Sequence, residues 1–420
     1  MSRLLLTGGK VFVPGTADLQ SATVVIEDGR IAAVGGDQRS SAGDTTVDVT
    51  GMTVLPGLID AHFHLTMHQA WGPMSAQVGL TDPYLVIRGV RAALRALRDG
   101  ITTVRELGAN HGTNMIVKKA IDAGAIPGPR VFAAGAPIGV PGGHAWMVTP
   151  QATGPIEFAR AARIQIRDGA SWVKLFASEE GLFGGPDDDP STCSRPDVSL
   201  AELAAAVEAA HSMRTPVAVH ANHHDAIERS LDAGVDSIEH GIFLRDDQAA
   251  RMAETGTALI PTLNIYRQIA EPRWGRGAVH GELAARMRDS HMHAAAAAIA
   301  AGVRVCVGSD SMGDIVDDLL LLTECGMSNA DAVAAITRGN AELLGIAGEV
   351  GTVAPGFVAD LAIVEGDPVA DLDRLRQIRY VVQAGEIAAP AEIGLRTEDE
   401  TPEWNTGVLA AGGPAGSSPY

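Results

Sequence analysis

The chain has 420 residues, of which 46% are hydrophobic and 4% aromatic, and its formal net charge is −19. This length exceeds what one small core covers and suits one large domain with a smaller one, since an α/β barrel takes about 250 residues. The negative charge argues against a nucleic-acid backbone or an anionic membrane surface as partner.

The compartment is predicted from the cysteines and from the apolar runs. Cys193, Cys306 and Cys325 are the three cysteines, and none lies close to another in sequence. A disulfide framework or a thiolate zinc site is therefore not expected, and a reducing compartment is the default. The amino-terminal apolar run is too short for a signal peptide, and no run of about 18 apolar residues follows. We expect a soluble cytoplasmic protein.

The first segment, residues 4–56, alternates short β-rich runs with turns. Asp28-Gly29 stands between the apolar runs 23–26 and 31–34. Glycine tolerates the positive φ that a tight hairpin turn requires, so this pattern predicts a β-hairpin. The segment is interpreted as a small β unit.

From residue 54 the pattern changes to repeated pairs of helix and strand. Val86, Val90, Leu94 and Leu97 have helical spacing, and a glycine precedes the buried strand that starts at Ile101. The same pattern, a glycine that ends a helix and is followed by a buried strand, recurs along the chain. Ser199 and Glu202 add a predicted capping box to one of the later helices.

Eight strands are predicted, near residues 54, 101, 131, 172, 216, 236, 258 and 303. Eight parallel strands alternating with helices are typical of an α/β fold of the (β/α)8 TIM barrel type. An open doubly wound sheet is the alternative, although no Gly-rich dinucleotide loop follows the first strand.

After Leu344 the pattern returns to short β runs at 351–356, 360–364 and 378–382. These strands are predicted to pair with the amino-terminal ones. The expected domains are a β-sandwich built from residues 1–56 and 348–395, and a catalytic barrel over residues 57–347. Residues 396–420 are Gly-, Ala-, Ser- and Pro-rich and are predicted to be a flexible tail.

His62 and His64 end an apolar run. On a β-strand residues i and i+2 share a face, so both imidazoles can reach one metal ion. The pair alone is weak evidence, but barrels of this kind carry their active sites at the carboxyl ends of their strands. Further polar residues lie on the third loop, on the fourth strand and at the ends of the fifth, sixth and eighth strands. These residues are His144, Lys174, His220, His240 and Asp310.

Each of these residues also has a structural interpretation. His220 and His240 could be core histidines, Asp310 could cap a helix, and Lys174 could be salt-bridged or extend to solvent. A bare buried ammonium is costly, whereas a lysine carbamate formed with CO2 is anionic and can bridge two cations. The convergence of the whole set favours metal ligation.

The remaining histidines are interpreted as surface residues, and they are His68, His111, His211, His280, His291 and His293. One of His223 and His224 could face the pocket. Specificity is expected to depend on the loops around residues 67–79, 179–196 and 264–280, which include the acidic run 187–189.

The site motifs resemble those of the amidohydrolase superfamily, and of its imidazolonepropionase-like branch with metal-dependent prolidases. The resemblance covers residues 4–390 and rests on residues 57–64, 172–178, His220, 237–241 and 307–310, with 355–361 in the returning segment.

The resemblance implies a binuclear centre of two divalent metal ions, usually zinc. His62, His64 and Asp310 would hold one ion, and His220 and His240 the other. Carboxylated Lys174 and a hydroxide would bridge the two ions. Two cations lower the pKa of water and polarise a carbonyl, which agrees with this assignment.

The resemblance also assigns roles in the reaction. Asp310 would be general base and then general acid. His144 resembles a position that contacts the substrate or its oxyanion. Dipeptidases of this branch commonly carry histidine or tyrosine near the substrate carboxylate where this chain has Asn222, so a free carboxylate on the substrate is in doubt.

The leading hypothesis is a metal-dependent hydrolase of a C–N bond in a small molecule, of dipeptide or N-acyl amino acid type. The alternatives are a neutral urea, carbamate or anilide as substrate, a phosphotriester or lactone, or an inactive barrel that serves as a scaffold. A homo-oligomer is expected, without a sequence feature that fixes its order.

Overall fold

The computed structural model describes residues 3–15, 18–36, 38, 40–67, 79–146, 149–179, 191, 195–270, 277–311 and 313–393. Residues 269, 270 and 277–281 are described by their backbone only. The predicted tail, the acidic run 187–189, His68 and the side chain of His280 lie outside the described part.

Seventeen β-strands are present in the described residues. They are β1 Leu4–Thr7, β2 Lys10–Phe12, β3 Leu19–Ser21, β4 Val24–Glu27, β5 Arg30–Val34, β6 Thr45–Asp48, β7 Met52–Pro56, β8 Leu58–Phe63, β9 Ile101–Glu106, β10 Arg130–Ala133, β11 Val173–Phe176, β12 Val217–Ala221, β13 Ser237–His240, β14 Ala258–Ile260, β15 Leu361–Glu365, β16 Ile378–Gln383 and β17 Glu386–Ala388.

Helices alternate with the strands from β8 to β14, and the remaining helices lie between β14 and β15 in the chain. They are α1 Asp82–Arg98, α2 Thr113–Asp122, α3 Gly154–Arg167, α4 Leu200–His211, α5 His224–Ala233, α6 Asp246–Thr255, α7 Asn264–Ala270, α8 Gly277–Ala300, α9 Ile315–Glu324, α10 Asn329–Ala334 and α11 Asn340–Leu343, with a π-helical turn at Ala335–Gly339.

Strands from both chain ends share one six-stranded sheet of order β17-β16-β15-β7-β2-β3. A second sheet has the order β5-β4-β1-β6, and apolar side chains from both sheets form one core cluster. The predicted hairpin is confirmed, since β4 and β5 pair antiparallel around Asp28 and Gly29, both with positive φ.

The prediction that the run at residue 54 is the first barrel strand is wrong. Val54 and Leu55 belong to β7, which pairs antiparallel with β15. The first strand of the parallel set is β8, which begins two residues after β7 ends. Both strands are apolar and buried, so their hydrophobicity alone cannot assign them to different sheets.

The parallel strands form two separate sheets, of order β10-β9-β8 and β11-β12-β13-β14. Hydrogen bonds link their edges: the Ile138 amide donates to the Lys174 carbonyl, and the Ala61 amide donates to the Val307 carbonyl, each at 2.9 Å. The predicted strand near 303 is not a member of either sheet, and an isolated parallel bridge between Val305 and Leu259 joins it to β14.

A glycine allows the segment 303–307 to approach β8 closely. A Cβ atom on Gly308 would lie 2.5 Å from the Cβ of His62 and 2.6 Å from its amide nitrogen. Such distances are far inside van der Waals contact, so a side chain at residue 308 would push this segment away from the predicted metal ligand His62.

The helices follow from local signals. The predicted helical residues 86–97 lie in α1, and the predicted capping box of Ser199 and Glu202 begins α4. In the described part of the chain, every helix is too short or too polar to span a membrane.

Candidate metal centre

Parallel strands place the predicted ligands at one edge of the fold. His62 lies near the carboxyl end of β8, and His220 and His240 lie at the carboxyl ends of β12 and β13. In the strand register Phe176 is opposite His220, and Ala221 is opposite His240. Because parallel strands run the same way, their terminal side chains share one space.

The side chains of the predicted ligands contact one another. The Nε2 atoms of His62 and His64 lie 3.3 and 3.1 Å from the same oxygen of Asp310. The ring of His240 lies 5.0 Å from that of His62 and 4.6 Å from that of His220. Ligand atoms of His62, His240 and Asp310 all lie within 4.8 Å of one another, which is a spacing that one metal ion can bridge.

Neighbouring acceptors fix the tautomers of three histidines. The Nδ1 atom of His64 lies 2.9 Å from the Gly108 carbonyl, which can only accept. The Nδ1 atom of His62 lies 2.8 Å from a carboxylate oxygen of Glu239.

The Nδ1 atom of the third histidine, His240, also faces an acceptor. The Nδ1 atom of His240 lies 2.7 Å from the Thr262 hydroxyl, whose own proton is donated to the Pro261 carbonyl. Nδ1 therefore carries a proton in all three rings, and in the neutral form of each ring Nε2 presents a lone pair.

This arrangement fits a cation. Two Nε2 atoms face one carboxylate oxygen of Asp310 at hydrogen-bond distance, and when both rings are neutral no donor lies between these three atoms. Three acceptors cannot approach so closely unless a positive charge lies between them, either a proton or a metal ion. Imidazole nitrogens and a carboxylate are a usual donor set for zinc.

Burial and charge set the protonation of the other two predicted ligands, His220 and His240. Burial lowers the pKa of His220 well below its ordinary value, and neighbouring His144, His240 and Lys174 lower it further. Burial likewise lowers the pKa of His240 well below its ordinary value. Both imidazoles are neutral at physiological pH, which is the form that binds metal.

Asp310 is ionised for a different reason. Burial alone would raise the pKa of its carboxyl group, but a proton on the rings of His62 and His64 supplies charge and hydrogen bonds that hold the pKa well below its ordinary value. A metal ion in the same position would act in the same direction. The carboxylate is thus anionic in a site that excludes bulk water.

Lys174 lies on β11, and its side chain is 1% exposed. The charge of its ammonium acts on both His220 and His240, whose pKa values it lowers. The lysine therefore lies beside the predicted second pair of ligands.

His144 lies at the same site, on the loop after β10. Its ring stacks on that of His220 at 4.3 Å and 8° and contacts the edge of Phe176 at 4.7 Å. Phe176 packs with Met67 and Ala145 in a small apolar cluster. One side of the site is therefore apolar and aromatic.

Asn222 contacts a predicted ligand. Its side chain is fully buried, and its amide nitrogen lies 3.3 Å from Nε2 of His220. The Ser178 hydroxyl accepts from its backbone amide at 2.9 Å. Asn222 as a substrate contact stays a prediction, and the contact with His220 is a second role for the same side chain.

Left-handed backbone marks the strand ends. His240, Thr262, Asp310 and Ser311 have φ values of 67°, 51°, 50° and 53°. This region costs a non-glycine residue about 1–2 kcal/mol and is found mainly where surrounding contacts enforce it, often at active sites. Four residues in this conformation around the predicted ligands agree with a functional site.

Several buried polar residues at the site were not singled out from the sequence. Arg105 and Glu239 form an ion pair of 2.8 Å, and both side chains are 0% exposed. Burial raises the pKa of Glu106 to about 7 and that of Asp60 to about 6. These residues could have been found from the sequence by the same signal as Lys174, which is a charged residue within a predicted buried strand.

The interpretation of His291 as a surface residue is wrong. Its side chain is 1% exposed, and its Nε2 atom donates to the His240 carbonyl at 3.0 Å. His291 lies on α8, and its ring also contacts that of Tyr266. His223 and His224 stack on each other at 4.1 Å at the start of α5, and the structure gives neither a contact with the predicted ligands.

Known proteins resemble this chain over most of its length. The chain is 29% identical to an ochratoxinase of Aspergillus niger, covering 93% of this chain and 87% of that one. It is 25% identical to an imidazolonepropionase of Mycolicibacterium smegmatis, covering 83% and 85%. The solved structure of a Xaa-Pro dipeptidase with bound methionine matches with a TM-score of 0.82 and 28% identity, covering 92% and 100%.

The chain belongs to the amidohydrolase family, whose model matches residues 53–390. The resemblance inferred from its motifs is confirmed, and the chain is an enzyme, a hydrolase acting on C–N bonds.

Proposed function

We propose that the chain hydrolyses an amide bond of a small molecule at a centre of two divalent metal ions, preferably zinc. The observation that carries this proposal is the convergence of the His62 and His64 Nε2 lone pairs on one oxygen of Asp310. A cation between these atoms removes their mutual repulsion.

The donor set divides into two groups in this proposal. His62, His64 and Asp310 would hold one ion, His220 and His240 the other, and a carbamate on Lys174 would bridge them. When bound, the two ions would lower the pKa of the attacking water and polarise the scissile carbonyl. The burial of Lys174 beside His220 and His240 supports the carbamate, because burial disfavours the charged ammonium.

The protein's own groups would move the proton and hold the substrate. Asp310 is anionic and would accept the proton of the attacking water, then donate it to the leaving amine. His144 stacks on His220 at the same site and would donate a ring N–H to the carbonyl oxygen as negative charge develops there.

Two substrate classes remain in the proposal. A dipeptide or N-acyl amino acid is supported by the likeness to a Xaa-Pro dipeptidase. A neutral urea, carbamate or anilide is supported by the apolar cluster of Met67, Ala145 and Phe176 beside His144, and by the neutral amide at Asn222.

We further propose that the two parallel sheets are parts of one (β/α)8 barrel beside a β-sandwich made from both chain ends. The hydrogen bonds from Ile138 to Lys174 and from Ala61 to Val307 support closure at both seams. The homo-oligomer and the cytoplasmic location stay predictions.

The test combines metal content with a substrate panel. Purified protein is stripped with a chelator, reloaded with zinc, and assayed on Xaa-Pro dipeptides, N-acyl amino acids, aryl amides, a phosphotriester and a lactone. We expect amide hydrolysis that is lost on stripping and restored by zinc. Turnover of only the phosphotriester or lactone would contradict the amide reaction, and no turnover of any substrate by the zinc-loaded protein would favour the scaffold.

Lys174→Ala tests the bridging position, with the surface variant Lys118→Ala as the matched control. We expect Lys174→Ala to lose both metal and activity while Lys118→Ala keeps both. A Lys174→Ala protein that binds two ions would contradict the carbamate.

A further inference from the structure

We infer that Arg105 is a positioning residue of the metal centre, which acts through Glu239 to fix the orientation and tautomer of His62. This inference rests on the proposed function, because its effect is exerted on the affinity for metal ions. Arg105 contacts none of the predicted ligand atoms directly.

The guanidinium of Arg105 connects several strands in the interior. It lies on β9, and its Nη2 atom donates to the two oxygens of Glu239 on β13 at 2.8 and 3.1 Å. Its Nη1 atom donates to the Ser237 hydroxyl at 2.9 Å, and its Nε atom donates to the Ala61 carbonyl at 2.5 Å. The guanidinium also lies 4.5 Å from the centre of the Trp172 ring.

Glu239 transmits this constraint to His62. Its Oε1 accepts from the Ser237 hydroxyl at 2.6 Å and from Arg105, while Oε2 lies 2.8 Å from Nδ1 of His62. Both oxygens are thus fixed in place, so the carboxylate has one orientation in which to accept the Nδ1 proton. The opposite nitrogen of the ring then presents its lone pair toward Asp310.

Arg105 constrains His62 along a second path. Its Nε donates to the carbonyl of Ala61, the residue before His62 on β8. The backbone and the ring of one ligand are therefore held by one fully buried cation. Only a planar fork can donate in three directions within one plane and stack on an indole, so lysine cannot replace it.

The experiment measures binding of cobalt(II), whose absorption spectrum reports the ligand geometry, to the full-length protein. Arg105→Lys keeps the buried positive charge and removes the fork. Arg105→Met/Glu239→Leu removes both charges together, so that neither is left uncompensated. Arg130→Lys is the matched control, because Arg130 pairs with buried Asp360 at 3.2 Å in another part of the protein.

We expect Arg105→Lys and the double variant to fold and to bind cobalt about 10- to 100-fold more weakly than the wild type, with an altered absorption spectrum. Arg130→Lys should bind cobalt like the wild type. Folding is followed by circular dichroism and thermal unfolding, so a loss of affinity is separated from a loss of structure.

Three results would overturn the inference. Wild-type affinity and spectrum in the folded double variant would show that the relay does not act on the site. Wild-type cobalt affinity and spectrum in Arg105→Lys would show that a buried positive charge alone is enough to position His62. A wild-type protein that binds no cobalt would overturn both this inference and the proposed metal centre, whereas the first two results leave the metal centre standing.

Discussion

The two sides of the candidate site are held in different ways. On one side His62, His64 and His240 each have Nδ1 within hydrogen-bond distance of a fixed acceptor, which is Glu239, the Gly108 carbonyl or Thr262. On the other side the rings of His220 and His144 stack at 4.3 Å, beside Phe176. In the proposed centre His220 also holds an ion, but the first side supplies most of the ligands, and the second side adds an aromatic surface for the substrate.

The largest effect is expected at Asp310, where the cation-holding side meets the reacting atoms. Asp310→Asn keeps the shape but removes the negative charge and the proton acceptor. We expect kcat to fall about 10²- to 10⁴-fold. Steady-state kinetics of the zinc-loaded protein measure this change.

The matched control for Asp310 is Asp236→Asn, since Asp236 is a half-exposed carboxylate paired with His211. The control should keep wild-type activity. An unchanged kcat in Asp310→Asn would show that Asp310 does not transfer the proton in the reaction.

The next largest effect is expected at His144, on the substrate side. His144→Phe keeps a flat ring that can stack on His220 but lacks an N–H donor. We expect kcat/KM to fall about 100-fold, as on removal of an oxyanion donor. Metal content should not change, because His144 is not a predicted ligand.

His144→Gln is the matched variant, because it keeps a donor and loses the ring. It should retain more activity than His144→Phe. The reverse ranking would mean that the ring's packing, rather than its proton, is what the reaction needs.

A smaller effect is expected from Thr262, which fixes His240. Thr262→Val removes the acceptor for Nδ1 at nearly constant volume. We expect the affinity for zinc to fall about 10- to 100-fold. Isothermal titration or competition with a chromophoric chelator measures it.

Thr257→Val, at the opposite end of β14, is the control for Thr262. It should leave zinc affinity unchanged. Equal losses in both variants would attribute the effect to strand stability.

The sequence singled out the candidate ligands of this site but not the residues that hold them in place. His62, His220 and His240 could be found because they lie near the carboxyl ends of their strands, and Lys174 because it interrupts an otherwise apolar strand. Glu239 could not be assigned to His62, because 177 residues separate them and only the register of the strands brings them together.

The fold shows the same limit. Local signals such as the Asp28-Gly29 turn and the capping box at Ser199 were confirmed by the structure. The predicted domain boundary at residues 56 and 57 falls between β7 and β8, but the run at residue 54 was still counted as a barrel strand, because sheet membership depends on the distant partner strand β15.

The smallest effect is expected far from the site, at the start of α4. The Ser199 side chain accepts from the Glu202 amide, and Ser199→Ala should lower the free energy of unfolding by about 1 kcal/mol without changing activity. A larger loss of activity would mean that α4 positions the site.

This cap is also expected to depend on pH. Although partial burial opposes the shift, hydrogen bonds from Ser199 and Gly154 lower the pKa of Glu202. A depressed folded-state pKa stabilises the protein above the unfolded-state pKa, and the gain is lost as pH falls through the folded-state value. Urea unfolding of the wild type and Glu202→Gln should therefore differ at neutral pH and converge in acid.

The most direct test of the central claim is metal analysis of the purified protein together with its turnover. The account predicts close to two transition-metal ions per chain, and activity that disappears when the ions are removed and returns with zinc. Full turnover by a protein shown to be free of metal would contradict it.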